Sequence, residues 1–182
     1  MACRDMKKAE QAKQDIINQV KHAKIIVKKL DLMSFESVKK FSQEINNQYD
    51  SIDILVNNAG VMMCPKDKTI DGHEIQFQTN YLGHFLLTHL LIDKLKKSKY
   101  QPKIINVSSI AYIGGRINFG DLNYDRNYCR RQAYYQSKLA QILYTKELAK
   151  RLRNFDIKVY VLHPGEKLIN RNNLIIKVFL KD

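Results

Sequence analysis

The chain has 182 residues, 45% of them hydrophobic, which is enough for a single domain with its own core. A net charge of +13 raises the question of nucleic-acid binding. The lysine pairs Lys7-Lys8, Lys28-Lys29, Lys39-Lys40 and Lys96-Lys97 lie apart on different segments, mostly on polar sides, so no nucleic-acid partner is expected. Cys3, Cys64 and Cys129 and the five histidines form no metal-ligand spacing, which indicates free thiols in a reducing compartment and no metal site.

Taken in chain order, Asp5 to about Lys21 carries Ala9, Ala12, Ile16 and Val20 at helical spacing. Lys24 to Val27 reads as a short strand. Ser34 is placed to cap a helix from Phe35 to Tyr49, with Val38, Phe41 and Ile45 on one face. Ile52 to Val56 is a second strand, turned at its end by Asn57-Asn58-Ala59-Gly60. A loop from Cys64 leads to a long helix over about 72–97, with Asp71 as its cap. Lys103 to Val107 is a third strand, followed by an irregular stretch over 112–127. A helix over about 128–153 precedes the last strand, Ile157 to Leu162, which Pro164 and Gly165 end.

Strands alternating with helices imply crossovers and an α/β fold with a parallel sheet covered by helices on both faces. No run is long and uncharged enough to span a bilayer; the most apolar stretch, Phe85 to Leu95, includes Thr88, His89, Asp93 and Lys94. The N-terminus lacks a secretory pattern. These features lead to the expectation of a cytoplasmic chain without a transmembrane segment.

Tyr134 and Lys138 stand four residues apart, hence on one helical face. A free phenol has a pKa near ~10, too high for proton transfer at neutral pH, and a neighbouring ammonium favours its ionised form. In open α/β sheets ligands bind beyond the carboxyl ends of the strands. Asn57, Ser109 and Pro164-Gly165 follow three separate strands, so one sheet edge gathers them.

The ordered segments Asn57-Asn58-Ala59-Gly60, Asn80-Tyr81-Leu82-Gly83-His84-Phe85, Asn106-Val107-Ser108-Ser109, Tyr134 to Lys138 and His163-Pro164-Gly165 closely resemble the short-chain dehydrogenase/reductase family, in its retinol dehydrogenase-like branch. The resemblance runs from residue 1 to about residue 165. It implies a Rossmann-like doubly wound sheet and an NADP-preferring oxidoreductase that interconverts a hydrophobic alcohol and its aldehyde or ketone. By that resemblance Tyr134 is the general acid/base, Lys138 lowers the phenol pKa and holds the nicotinamide ribose, Ser109 binds the substrate oxygen, and Asn80 positions a water for proton relay. Ser108 and Tyr135 are the weaker choices beside Ser109 and Tyr134. On the cofactor side the resemblance points to Asn57, Ala59, Gly60, Pro164 and Gly165, with Asp31 at the adenine. Arg4 is placed to pair with a 2′-phosphate, which favours NADP over NAD.

Two departures accompany it. The family's first strand and its Gly-rich phosphate-binding turn are absent, so the strands before Ser34 and before Asn57 are expected to lack a shared neighbour. Residues 166–182, with the apolar run Leu174 to Leu180, do not follow the family's pattern and form an atypical tail on a single, truncated dinucleotide-binding domain. The second reading is therefore a catalytically inactive truncated paralogue that acts, if at all, through helix-mediated association. A homodimer through the helix from about residue 72 and the Tyr134 helix is the form the resemblance implies.

Overall fold

A computed structural model describes residues 1–165 together with Lys177–Val178. In chain order it forms β1 (Ala2–Cys3), α1 (Met6–Gln19), β2 (Lys28–Lys29), α2 (Phe35–Gln48), β3 (Ile54–Asn57), α3 (Ile75–Phe77), a π turn (Gln78–Leu82) and α4 (Gly83–Lys96). There follow β4 (Lys103–Val107), a 3-10 turn (Ile110–Gly114), α5 (Arg130–Arg151), a second 3-10 turn (Arg153–Phe155), β5 (Lys158–His163) and β6 (Lys177–Val178).

The strands make two sheets. β1 and β2 pair in parallel, Ala2 opposite Lys28. β3, β4 and β5 are parallel neighbours, and β6 adds an antiparallel edge at Leu162 and His163. Among the described residues β1 and β3 share no strand between them. On one face of β3, Ile54 and Val56 are more than half exposed. Its other face carries Leu55, which joins two apolar clusters. Leu30, Leu32, Val38, Phe41, Leu87 and Leu91 form the first, between α2 and α4. The second gathers Leu95, Ile104, Tyr144, Leu148, Leu152 and Ile157 under α5. A helical stripe packed on alternate strand residues buries both.

Several boundaries move for physical reasons. Lys24 to Val27 forms no strand; pairing with β1 starts at Lys28, whose N–H finds Met1 O at 2.9 Å. Ser34 does cap α2, its hydroxyl accepting from Ser37 N–H at 3.2 Å. Asp71 does not cap the helix that follows it but reaches the first N–H of α2. Its carboxylate accepts from Phe35 N–H and from Gln78 Nε2, while Glu74 takes the capping role through Phe77 N–H at 2.6 Å. The helix expected over about 72–97 runs from Ile75 to Lys96, with a π turn inserted at Gln78–Leu82. Such single-turn insertions cluster at functional sites, and this one contains Asn80. The tail expectation for residues 166–182 lies outside the described residues apart from β6.

Candidate active site

The site is built on α5. Ala133, Tyr134, Ser137, Lys138 and Gln141 are buried on its inner face. The Lys138 Nζ lies 5.6 Å from the centroid of the Tyr134 ring. It donates to Val107 O and to Gln141 Oε1, each at 3.1 Å. Burial disfavours its charged form and lowers its pKa to about 8. The spacing of Tyr134 and Lys138 thus becomes a shared buried face.

Asn80 joins this face to the turn after β3. The side chain is fully buried. Its Oδ1 accepts from Val61 N–H at 2.8 Å, and its Nδ2 donates to Val61 O and Ser137 Oγ at 2.9 Å each. Both amide donors are therefore spent within the protein. The Asn80 main-chain carbonyl faces the His84 ring Nδ1 at 3.0 Å. A carbonyl only accepts, so Nδ1 carries the hydrogen. His84 is held neutral, its pKa lowered to about 4 chiefly by burial, with the Lys138 charge adding to that effect.

Gly60 lies against the same group. A Cβ there would meet Asn80 Oδ1 at 3.0 Å and Lys138 Nζ at 3.7 Å, so only glycine lets the turn close over the ammonium without displacing the amide. Asn57 is buried; its Nδ2 donates to Thr88 Oγ1 and Asn106 Oδ1. Asn106 in turn donates to Thr145 on α5. This polar ladder ties β3, β4, α4 and α5 together directly beneath the site.

The two serines separate cleanly. Ser108 is buried with its hydroxyl donating to Lys138 O at 2.9 Å. Ser109 is half-buried at the start of the 3-10 turn, where its Oγ accepts from Ala111 N–H at 3.3 Å and, among the described residues, donates to no protein group. Tyr135 lies against Gly114, where a Cβ would meet its ring at 2.9 Å. Its ring supports the loop above α5.

A cleft of about 620 Å³ opens between the two sheets. Arg4, Asp31, Asn57, Ala59, Gly60 and Thr79 are among the residues lining it. Arg4 is exposed at the rim beside Met33, and Asp31 accepts from Met33 N–H. The turn Asn58-Ala59-Gly60 and the adjoining Asn57 line this wall, and a glycine there lets a polar ligand such as a dinucleotide approach the backbone closely. Tyr134, Lys138, Ser109, Pro164 and Gly165 lie outside the lining, with Gly60 as the junction between cleft and α5. Pro164 and Gly165 are exposed beyond β5, Gly165 in the left-handed region at φ 88°.

The short chain dehydrogenase family model matches residues 1–170. The chain belongs to the short-chain dehydrogenase family. It is 45% identical to retinol dehydrogenase 12 of Mus musculus over 97% of this chain and 56% of that protein. It is 49% identical to retinol dehydrogenase 13 of Homo sapiens over 91% of this chain and 50% of that protein. The chain thus spans about half the length of the curated relatives it matches. Among solved structures, an uncharacterised protein from Mycobacterium Paratuberculosis superposes with a TM-score of 0.78 at 38% identity, covering 94% of this chain and 60% of that one. The NADPH-bound carbonyl reductase from chicken fatty liver superposes with a TM-score of 0.66 at 26% identity, covering 90% and 66%. Among the described residues no helix is long and apolar enough to cross a membrane.

Sequence reasoning missed the Lys138 partners. Gln141 follows Lys138 by three residues on α5, so helical spacing alone places it within reach. Val107 O had no such signal, because it depends on how β4 docks under the helix.

Proposed function

We propose that this chain carries the cofactor-binding and proton-transfer portion of an NADP-preferring oxidoreductase. The reaction interconverts a hydrophobic alcohol and its aldehyde or ketone. The observation that carries the reading is the buried Tyr134–Lys138 pair set against the Gly60 turn at the mouth of the cleft. The nicotinamide, when bound, supplies or accepts the hydride. Tyr134 gives its phenolic proton to the substrate oxygen in reduction and takes one in oxidation. Lys138 stabilises the resulting phenolate, because an ammonium beside an oxyanion favours the charged form. Ser109, whose hydroxyl donates to no protein group among the described residues, holds the substrate oxygen. Asn80 positions a relay water by holding the turn after β3 against α5 through Val61 and Ser137.

Ala59, Gly60 and the Asn57 wall hold the ribose side, with Pro164-Gly165 closing the far strand end. Asp31 faces the adenine, and Arg4 at the rim pairs with a 2′-phosphate, which makes NADP the preferred form over NAD. The NADPH-bound state of the matched carbonyl reductase supports that preference. The test is turnover of a medium-chain aldehyde with NADPH. Tyr134→Phe should lose activity by about 10²- to 10⁴-fold with an unchanged far-UV spectrum; retained activity would overturn the assignment.

A second reading is a chain that does not turn over and associates through α4 and α5. Phe85 and Leu90 on α4 and Leu143 on α5 are exposed apolar residues that favour it. Sedimentation showing a concentration-dependent dimer, together with no turnover, would select it.

A further inference from the structure

We propose that Gln141 is a positioning residue for Lys138: its buried amide oxygen and the Val107 carbonyl hold two of the three ammonium N–H donors and leave the third for an acceptor in the site. The inference deepens the functional reading above and rests on Lys138 serving Tyr134.

The geometry is specific. Nζ stands 3.1 Å from each acceptor. The acceptors come from different elements, the end of β4 and the next turn of α5, so the ammonium is fixed against both. Gln141 is 2% exposed, and among the described residues its Nε2 has no hydrogen-bond partner. Leaving a buried amide donor unpaired costs free energy, and a leucine of similar volume would avoid that cost. Turning the amide over would point its N–H groups at a cation. The oxygen therefore faces Lys138, and the side chain's one hydrogen bond is the one it makes to the ammonium.

The surroundings isolate this effect. The titratable groups facing Lys138 are Tyr134 on its own helix and His84 on α4. β4 presents the Val107 carbonyl, and the turn after β3 presents Gly60. Among the described residues no carboxylate forms an ion pair with it. Neutral oxygens are thus what favours the charged amine against burial.

The experiment is an NMR titration of the lysine side chains in the full chain without cofactor, with Lys138 assigned by loss of its signal in Lys138→Arg. Lys138 should titrate with a midpoint near 8. A hydrogen bond to a charged group corresponds to about one pH unit or more. Gln141→Leu should therefore lower the midpoint by about one pH unit, and Gln141→Glu should raise it by about as much. A Gln141→Leu midpoint that stays with the wild type would overturn the proposal, and so would a pair of variants that both move the same way. A role in packing alone would lower stability without moving the midpoint in opposite directions. The titration needs no NADPH, so a chain that shifts as expected but binds no cofactor refutes the functional reading and leaves the Gln141 role standing.

Discussion

Asn80→Ala tests whether one side chain holds the turn after β3 against α5. The substitution removes three hydrogen bonds, two to the Val61 main chain and one to Ser137. At about 1 kcal/mol net for each, the loss is about 3 kcal/mol. Alanine's better helix propensity returns at most about 0.7 kcal/mol. The half-buried Val61 groups recover part of their bonding from water, so the expected destabilisation is about 2 kcal/mol. Asn46→Ala is the control, since it deletes one exposed bond to Leu90 O and should cost about 0.5 kcal/mol or less. Urea unfolding at pH 7, followed by far-UV circular dichroism, gives both values. With a slope of about 1–3 kcal/mol/M, the Asn80 variant should unfold about 1 M earlier. If it unfolds with the midpoint of the Asn46 variant, the side chain does not carry that joint.

Gly83→Ala should destabilise by about 1–3 kcal/mol although alanine is the better helix former, because its Cβ would lie 2.8 Å from the Leu32 carbonyl oxygen; a raised unfolding midpoint would contradict this. Lys138 titrates near 8 in the fold against an ordinary 10.5, so the unfolded chain binds the extra proton between those values. Stability contributed by this site must therefore rise with pH across that window. Relative to Lys138→Met, the wild type should gain roughly 1–3 kcal/mol between pH 7.5 and 10.5 in urea titrations. A constant difference would show that Lys138 is not buried as described.

The parts legible in the sequence are those fixed by local periodicity and capping. Lys103 to Val107 pairs along its whole length, and Ser34 caps α2. The Tyr134–Lys138 face came from helical spacing, and the split between β1 and β3 followed from a missing neighbour. What escaped depends on tertiary partners. Lys24 to Val27 forms no strand although its composition suits one, since parallel pairing with β1 involves Lys28 and Lys29. The π turn at Gln78–Leu82 coincides with the buried commitments of Gln78 and Asn80, which periodicity does not encode. Asp71 was drawn to Phe35 and Gln78 by how α2 docks. Asn57 was expected at the cofactor; it lines the cleft, yet its side-chain donors point into the polar ladder.

The central claim is that the Gly60 turn, the cleft and α5 hold a nicotinamide dinucleotide. Its most direct test is fluorescence titration of the chain with NADPH, alongside NADH and the Tyr134→Phe variant. The account predicts saturable binding, tighter for NADPH than for NADH and retained by Tyr134→Phe. A chain that unfolds cooperatively in urea but binds neither nucleotide would contradict it.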